Sequence, residues 1–424
     1  MPPPRQPSRA ATARPRVPPQ RTPNLFAGGG VARVGDDFTD RAAERREIAR
    51  ALRTPGGHLL VVGPRRIGKT SLLRAVVDDL RRAKAGPVLF LDLWSASTVE
   101  DVTTRLAGEA AAVLGRRWTD VVKHLASRLH FALEVKALPN GLLVPLPAVS
   151  FRESPAHAQR QRLVTALDTL EAQAKAHRVH LGIVFDEFQE IERVGRDDAD
   201  APGVSVVRQL RAAIQHHRHV TYVFAGSDRV LIDKLSAARD GPLHNLARRY
   251  EIGPLPAEHF AAWIDARMAR MGLAAPASGA AIIALAGPRT RDVRTLAESV
   301  AELARSSGRV TEHELEGGVR AVIRQRRPQY ELAWKDLVAL QQNCLRAVAS
   351  GERRLTSLAT RTRYSLGDSS RVAKAVATLV ERSVLLRADR GYAFDDPFFR
   401  AWVIDAALPD LGVVRASLLD LMRP

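Results

Sequence analysis

One stretch, residues 58–73, HLLVVGPRRIGKTSLL, constrains this chain more than any other. An apolar run, residues 58–62, leads into Gly63-Pro64-Arg65-Arg66-Ile67-Gly68-Lys69-Thr70, and a helix-compatible run starts at Thr70 and continues through Ser71. The pattern G-x-x-x-x-G-K-[ST] at a strand-to-helix junction is that of a phosphate-binding loop. Gly63 and Gly68 let the backbone curl so that successive N–H groups point inward at phosphate oxygens. The helix that follows adds the positive end of its dipole. Lys69 is expected to place a point charge on the β/γ-phosphates of ATP, and the Thr70 hydroxyl to ligate Mg²⁺. The bland alternative is a Gly-rich turn before a helix that starts with lysine.

Four further apolar runs are too short for helices and read as buried parallel strands: residues 88–93, 181–185, 220–225 and 250–252. A helical pattern at 41–52 precedes the first strand, and others at 70–84, 161–177 and 204–217 separate the runs, which predicts a doubly wound α/β sheet. The connection from 94 to 180 is longer than one crossover helix needs. It holds helical patterns at 99–114 and 118–129, then two extended runs, 131–137 and 142–149, around Pro139-Asn140-Gly141. Asn-Gly between alternating residues is a hairpin signal, so this stretch reads as an insertion on the sheet.

After Pro254 the pattern is wholly helical, at 257–271, 278–286, 291–306 and 312–324, and suits a lid; residues 324–328 read as a hinge. From 335 onward, helices at 336–349, 355–360 and 369–382 precede two short strands, 384–387 and 391–394. Ser369 or Ser370 is the expected N-cap of the third helix. Three helices and a hairpin make a winged helix-turn-helix, closed by the aromatic run 397–402. The expected division is therefore a Pro/Arg-rich disordered tail over 1–24, a core over 25–253 with its insertion, and a lid and hinge over 254–328. The winged helix covers 329–405, and a helical tail 406–424.

The strand 181–185 runs into Asp186 and Glu187. Downstream of a phosphate loop, such a pair is expected to hold Mg²⁺ through water at Asp186, opposite Thr70. Glu187 would orient and deprotonate the attacking water. A solvated strand end is the plainer reading. The next strand ends in Gly226-Ser227-Asp228, at the sheet edge where ligands of such folds sit, so Ser227 would bond the γ-phosphate or the lytic water, unless it only caps a helix. Arg248 and Arg249 precede the last strand. There an arginine would reach a γ-phosphate across a subunit interface, in a nucleotide-dependent homo-oligomer, or else be surface charge. Gly287-Pro288 with Arg291 or Arg294 in the lid would touch adenine or phosphate.

Composition bounds the partners. The chain has 424 residues, 46% hydrophobic, with a mean hydropathy of −0.15, enough for two or three domains. No run approaches the ~18 apolar residues of a membrane span, and no apolar leader follows the N-terminus, so no membrane partner and no secretion are expected. A single cysteine, Cys344, excludes an intrachain disulfide and a thiolate metal cluster, which points to a reducing cytoplasm. The net charge of +18 favours polyanions, nucleic acid before anionic membrane, although an arginine-and-alanine bias from a GC-rich genome would give the same balance.

Taken together, GPRRIGKTSLL, VFDEFQEI, FAGSDR and DPFFRAW resemble the archaeal-type ATPase family, on the STAND and AAA+ side of the P-loop NTPases. The resemblance spans roughly residues 31–405. It implies an ATPase core, a helical lid and a C-terminal winged helix, with Lys69, Thr70, Asp186, Glu187 and Ser227 as the site. Phe38-Thr39-Asp40-Arg41 is similar to that family's opening motif near the adenine, which adds Phe38 and Arg41. A departure is Arg248-Arg249-Tyr250, where relatives commonly have Gly-Arg. Three functions follow. The chain is an ATP-hydrolysing molecular switch; or a DNA-binding protein whose ATP state controls loading, like related origin-recognition and transposition ATPases; or a non-hydrolysing scaffold, which Glu187 disfavours. Residues 331–405 hold 12 basic and 9 acidic residues, a net of +3, so duplex DNA and a protein are both open as partners of the winged helix.

Overall fold

The computed structural model describes residues 23–27, 40–114, 132–137, 143–148, 156–196, 206–227, 229–236, 241–407 and 418–422. Phe38, Thr39, Asp228, the helical pattern at 118–129 and the Asn-Gly turn fall outside them, as do most of both tails. Among the described residues five parallel strands form one sheet: β1 (Leu59–Val62), β2 (Val88–Asp92), β5 (Leu181–Asp186), β6 (Val220–Gly226) and β7 (Arg248–Glu251), in the order β2-β5-β6-β1-β7. The insertion contributes an antiparallel pair, β3 (Ala132–Ala137) and β4 (Leu143–Ala148).

Strand alternation sets the two faces of the sheet. Leu59 and Val61 of β1, with Val223 and Ala225 of β6, pack on helices Ala42–Arg53 and Lys69–Arg82. Leu60 and Val62, with Tyr222 and Phe224, turn to helices Val99–Leu114, Ala156–Ala176 and Val206–Ile214. Every residue of β1, β5 and β6 is buried, the mark of strands covered on both faces. The order puts β6 between the strand feeding the phosphate loop and the strand ending in the acid pair, so their C-terminal ends share one rim.

The edge strand β7 begins two residues before the apolar run that the sequence shows. Its register starts at Leu59↔Arg248, and its pattern of exposed ends suits charged side chains on an edge.

Helices Ala257–Arg270, Ser278–Ala286 and Thr290–Ser307 form the helical module expected to be a lid, and called the lid below. The hinge expected at 324–328 is absent: helix Glu312–Lys335 runs through Pro328 without a break. Proline removes one N–H and frees the carbonyl four residues back. Both Pro328 and Arg324 are exposed, so the freed carbonyl has water at hand. Tertiary packing holds the two ends together. Val319 and Val322 are buried against the lid and Tyr330 among winged-helix aromatics, all within one continuous core.

The winged helix consists of helices Ala339–Ala349, Leu358–Arg363 and Ser369–Glu381, strands β8 (Leu385–Ala388) and β9 (Gly391–Phe394), and helix Pro397–Ala407. Asp368, rather than Ser369 or Ser370, caps the third helix, accepting from Arg371 N at 2.9 Å. A carboxylate at that position also meets the positive end of the helix dipole. At the other end of the chain, Phe26 is buried in the lid, edge-on to Trp263 at 5.9 Å, and Asn24 donates to the Glu298 carbonyl. Residues 24–26 therefore dock on the lid, where a tail and the start of the core were expected.

Candidate active site

The phosphate loop leaves β1 at Gly63 and enters helix Lys69–Arg82 at Gly68. Gly63 is obligatory: a Cβ there would lie 2.6 Å from the Ile252 carbonyl oxygen and 2.8 Å from Ile67 Cδ1. Gly68 sits at φ +93°, which only glycine adopts readily. Arg66 also has positive φ, at the loop crest. The crest is braced from three sides. Arg41 donates to the carbonyls of Ile67 and Gly253 at 3.3 and 2.8 Å, the Thr290 hydroxyl donates to Ile67 O at 3.1 Å, and Arg291 N donates to Arg66 O at 3.1 Å. Arg41, expected near adenine, is thus a buried brace of the loop. Arg65 lies over the ring of Trp94, a largely exposed side chain beyond β2; Pro64 lies within the loop, and Ser71 is in the first turn of the helix that follows it.

Lys69 is buried, with Nζ donating to the carbonyls of Gly63 and Pro64, both at 2.8 Å. Burial pulls its pKa down to about 8, while Glu187 and Asp186 hold it up. The Thr70 hydroxyl donates to Asp186 Oδ2 at 2.6 Å. Burial raises the Asp186 carboxyl to about 6; the Thr70 bond works against this, and Glu187 and Asp92 reinforce it. Desolvated anions of this kind await a cation. Glu187 has φ +50° and accepts at Oε2 from the Ser227 hydroxyl at 2.8 Å. Lys69, Thr70, Asp186, Glu187 and Ser227 therefore meet on one rim, brought there by three adjacent strands.

Other candidates sit elsewhere. Arg248 stands at the N-terminal end of β7, whereas the loop leaves the C-terminal end of β1, so it cannot reach its own loop. It pairs with Glu47 and lies over the Tyr250 ring, and Arg249 pairs with Asp233 and Glu251. In the lid, Arg289 rather than Arg291 or Arg294 makes the buried link, pairing with Asp395.

Sequence reasoning missed two groups. Gln189 donates to Glu187, and as one more polar residue in Asp186-Glu187-Phe188-Gln189-Glu190 it gave no local signal. A charge network joins the loop to both helical modules. Arg66 lies 3.6 Å from Asp292 of the lid and 3.4 Å from Asp396 of the winged helix. Arg326 bridges the same two aspartates at 2.6 and 3.3 Å, and Tyr330 donates to Asp396 at 3.1 Å. The Asp396-Pro397 junction, a carboxylate capping a helix, was its one local sign.

Two families of known proteins match parts of the chain. The AAA ATPase domain family matches residues 37–224. Within those residues the chain is similar to an AAA ATPase domain. A second family, described as a probable winged helix domain, matches residues 328–405, where the structure has its three helices and hairpin. Among solved structures it resembles the Walker-type ATPase PABY2304 of Pyrococcus abyssi, with 17% identity over 89% of this chain and 98% of that one, at a TM-score of 0.59. It also resembles the ORC2 protein of Aeropyrum pernix, with 14% identity over 95% and 96%, at a TM-score of 0.47. The first of these likenesses concerns the fold alone. No curated protein matches the chain in sequence. The P-loop ATPase fold expected from the sequence, with its C-terminal winged helix, is therefore present.

Proposed function

We propose that this chain is an AAA ATPase that binds ATP with Mg²⁺, hydrolyses it slowly and acts as a nucleotide-controlled molecular switch. The observation that carries this is the meeting of Lys69, Thr70, Asp186, Glu187 and Ser227 on one rim beside a loop shaped for phosphate. Lys69 would exchange the Gly63 and Pro64 carbonyls for phosphate oxygens. Thr70 and Asp186 would hold Mg²⁺, which offsets phosphate charge. Glu187 would take the proton of the attacking water, with Ser227 beside it, and Arg248 would serve a neighbouring copy. Bracing of the loop by Thr290 and Arg291, and the reach of Arg66 to Asp396, support a switch, because phosphate arriving at this loop meets groups tied to lid and winged helix.

The test is hydrolysis by paired variants. Glu187→Gln should retain ATP and Mg²⁺ while turnover falls roughly 10²–10⁴-fold, the scale of a lost general base. Asp186→Asn should weaken the dependence on Mg²⁺. Wild-type rates in both would make the acid pair structural.

A second reading, ATP-controlled binding of duplex DNA, is favoured by the exposed face of helix Ser369–Glu381. Ser370, Ala373 and Ala377 keep that face low, and Arg371 and Lys374 make it cationic, which fits a major groove. A protein partner for the same face remains the competing outcome of the DNA test described below.

A further inference from the structure

Gln189 lies just beyond the acid pair and is fully buried, 0% exposed. Its Nε2 donates to Glu187 Oε2 at 2.5 Å, the same oxygen that accepts from Ser227 at 2.8 Å. Only the NH₂ end of an amide can face a carboxylate, so chemistry fixes which way the group points. The amide oxygen has no hydrogen-bond partner, and it occupies the place beside Gly226, 2.6 Å from where a Cβ would stand. A leucine or methionine would fill this site without an unpaired buried acceptor. The glutamine is therefore explained by its N–H. Nearby, Phe188 N donates to Ala225 O at 2.7 Å, which pins the turn between Glu187 and Gln189 against β6.

We propose that Gln189 is a positioning residue for ATP hydrolysis: with Ser227 it clamps Glu187 Oε2, so that Oε1 is the oxygen presented to the attacking water. This rests on the reading of Glu187 as the general base. The terminal torsion of a glutamate is broad, so an unrestrained carboxylate would present either oxygen over a wide arc. Two donors on one oxygen remove that freedom. In the step served, the water oxygen bonds to the γ-phosphorus and the bond to the bridging oxygen breaks, its electron pair leaving with ADP. The water proton passes to Glu187 Oε1. Gly226 has a part in this, because any larger residue would displace the glutamine.

The experiment uses the full chain carrying Gln189→Met, which keeps length and volume but removes the donor, and Gln189→Glu, which keeps the shape. Expected are an unchanged ATP affinity by calorimetry and an unchanged KM, with kcat lowered about 10- to 100-fold in both, the scale of a misplaced catalytic group. Adding Gln189→Met to Glu187→Gln should lower the single-turnover rate no further, because both changes act through one group. Wild-type kcat in both Gln189 variants while Glu187→Gln is inactive would overturn this proposal alone. So would an equal further fall in the Glu187→Gln background. Wild-type turnover of Glu187→Gln itself would remove the general-base reading, and this proposal with it.

Discussion

Removing Arg326 should destabilise the lid and the winged helix together. Asp292 is 0% exposed, and Arg326 makes its short contact, 2.6 Å to Oδ1. Arg66 stands 3.6 Å from that oxygen and Arg289 3.9 Å from Oδ2, which has no hydrogen bond of its own. Burial works against the Arg326 charge, but Asp292 and Asp396 outweigh it, so its pKa lies above the ordinary arginine value. Breaking a buried pair from one side costs about 3–5 kcal/mol. Two further guanidiniums within 4 Å soften the loss, which places Arg326→Met near the lower end, about 3 kcal/mol. Loss of the guanidinium over the Phe398 ring adds roughly 0.5–1 kcal/mol, part of which methionine packing returns. Removing both partners, with Arg326→Met and Asp292→Asn, should recover much of this, because no buried charge is then stranded. Urea unfolding followed by tryptophan fluorescence suits the measurement, since Trp263, Trp334 and Trp402 all lie in or against this core. A midpoint shift worth less than about 1 kcal/mol, or a double variant that adds the two single losses, would refute the reasoning.

Three other outcomes are expected. Lys69→Ala should weaken ATP binding by about 1.5–3 kcal/mol, the worth of a charge-assisted contact, and unchanged affinity by calorimetry would displace the phosphate site. Arg371→Glu with Lys374→Glu should weaken duplex binding and lower the log–log salt slope by about 0.9 per lost phosphate contact; the comparison belongs in a chain lacking residues 1–22, and an unchanged slope would assign this face to a protein partner. His58 accepts from Tyr222 N through Nδ1, and burial brings its pKa down to about 4. Above pH ~6.5 it is neutral folded and unfolded; below that the unfolded chain binds a proton the folded chain refuses. Stability relative to His58→Asn should therefore fall between pH ~6.5 and ~4, by about 3 kcal/mol at most, and a pH-independent difference would contradict the buried neutral tautomer.

Much of the site was legible because its signals are local. A glycine pair, a lysine and a hydroxyl within eight residues specify a loop whatever the rest of the chain does, and an apolar strand running into two acids announces its own rim. Long-range placement hid the rest. Gln189 acquires its part only once β6 carries Ser227 beside β5. The Arg66–Asp292–Arg326–Asp396 network joins four distant segments, and nothing in any one of them names the other three. Pro328 misled because proline is a local breaker, and only the burial of Val322 before it and Tyr330 after it shows what carries the helix through. Asp368 stood beside two serines equally able to cap, and the choice between them depends on the helix dipole and on backbone geometry.

The unbroken helix Glu312–Lys335 has a mechanical meaning. At about 1.5 Å per residue it is a rod of roughly 36 Å, glued at one end to the lid and at the other to the winged helix. A rod fixed at both ends transmits rotation without taking it up. Tilting the lid by ~10° over the phosphate loop would carry the far end through about 6 Å, as much as one helical turn. The relevant joint is therefore the seam between the sheet and everything after Pro254. Shortening the rod within its exposed middle would alter the angle of the winged helix without touching either end's packing.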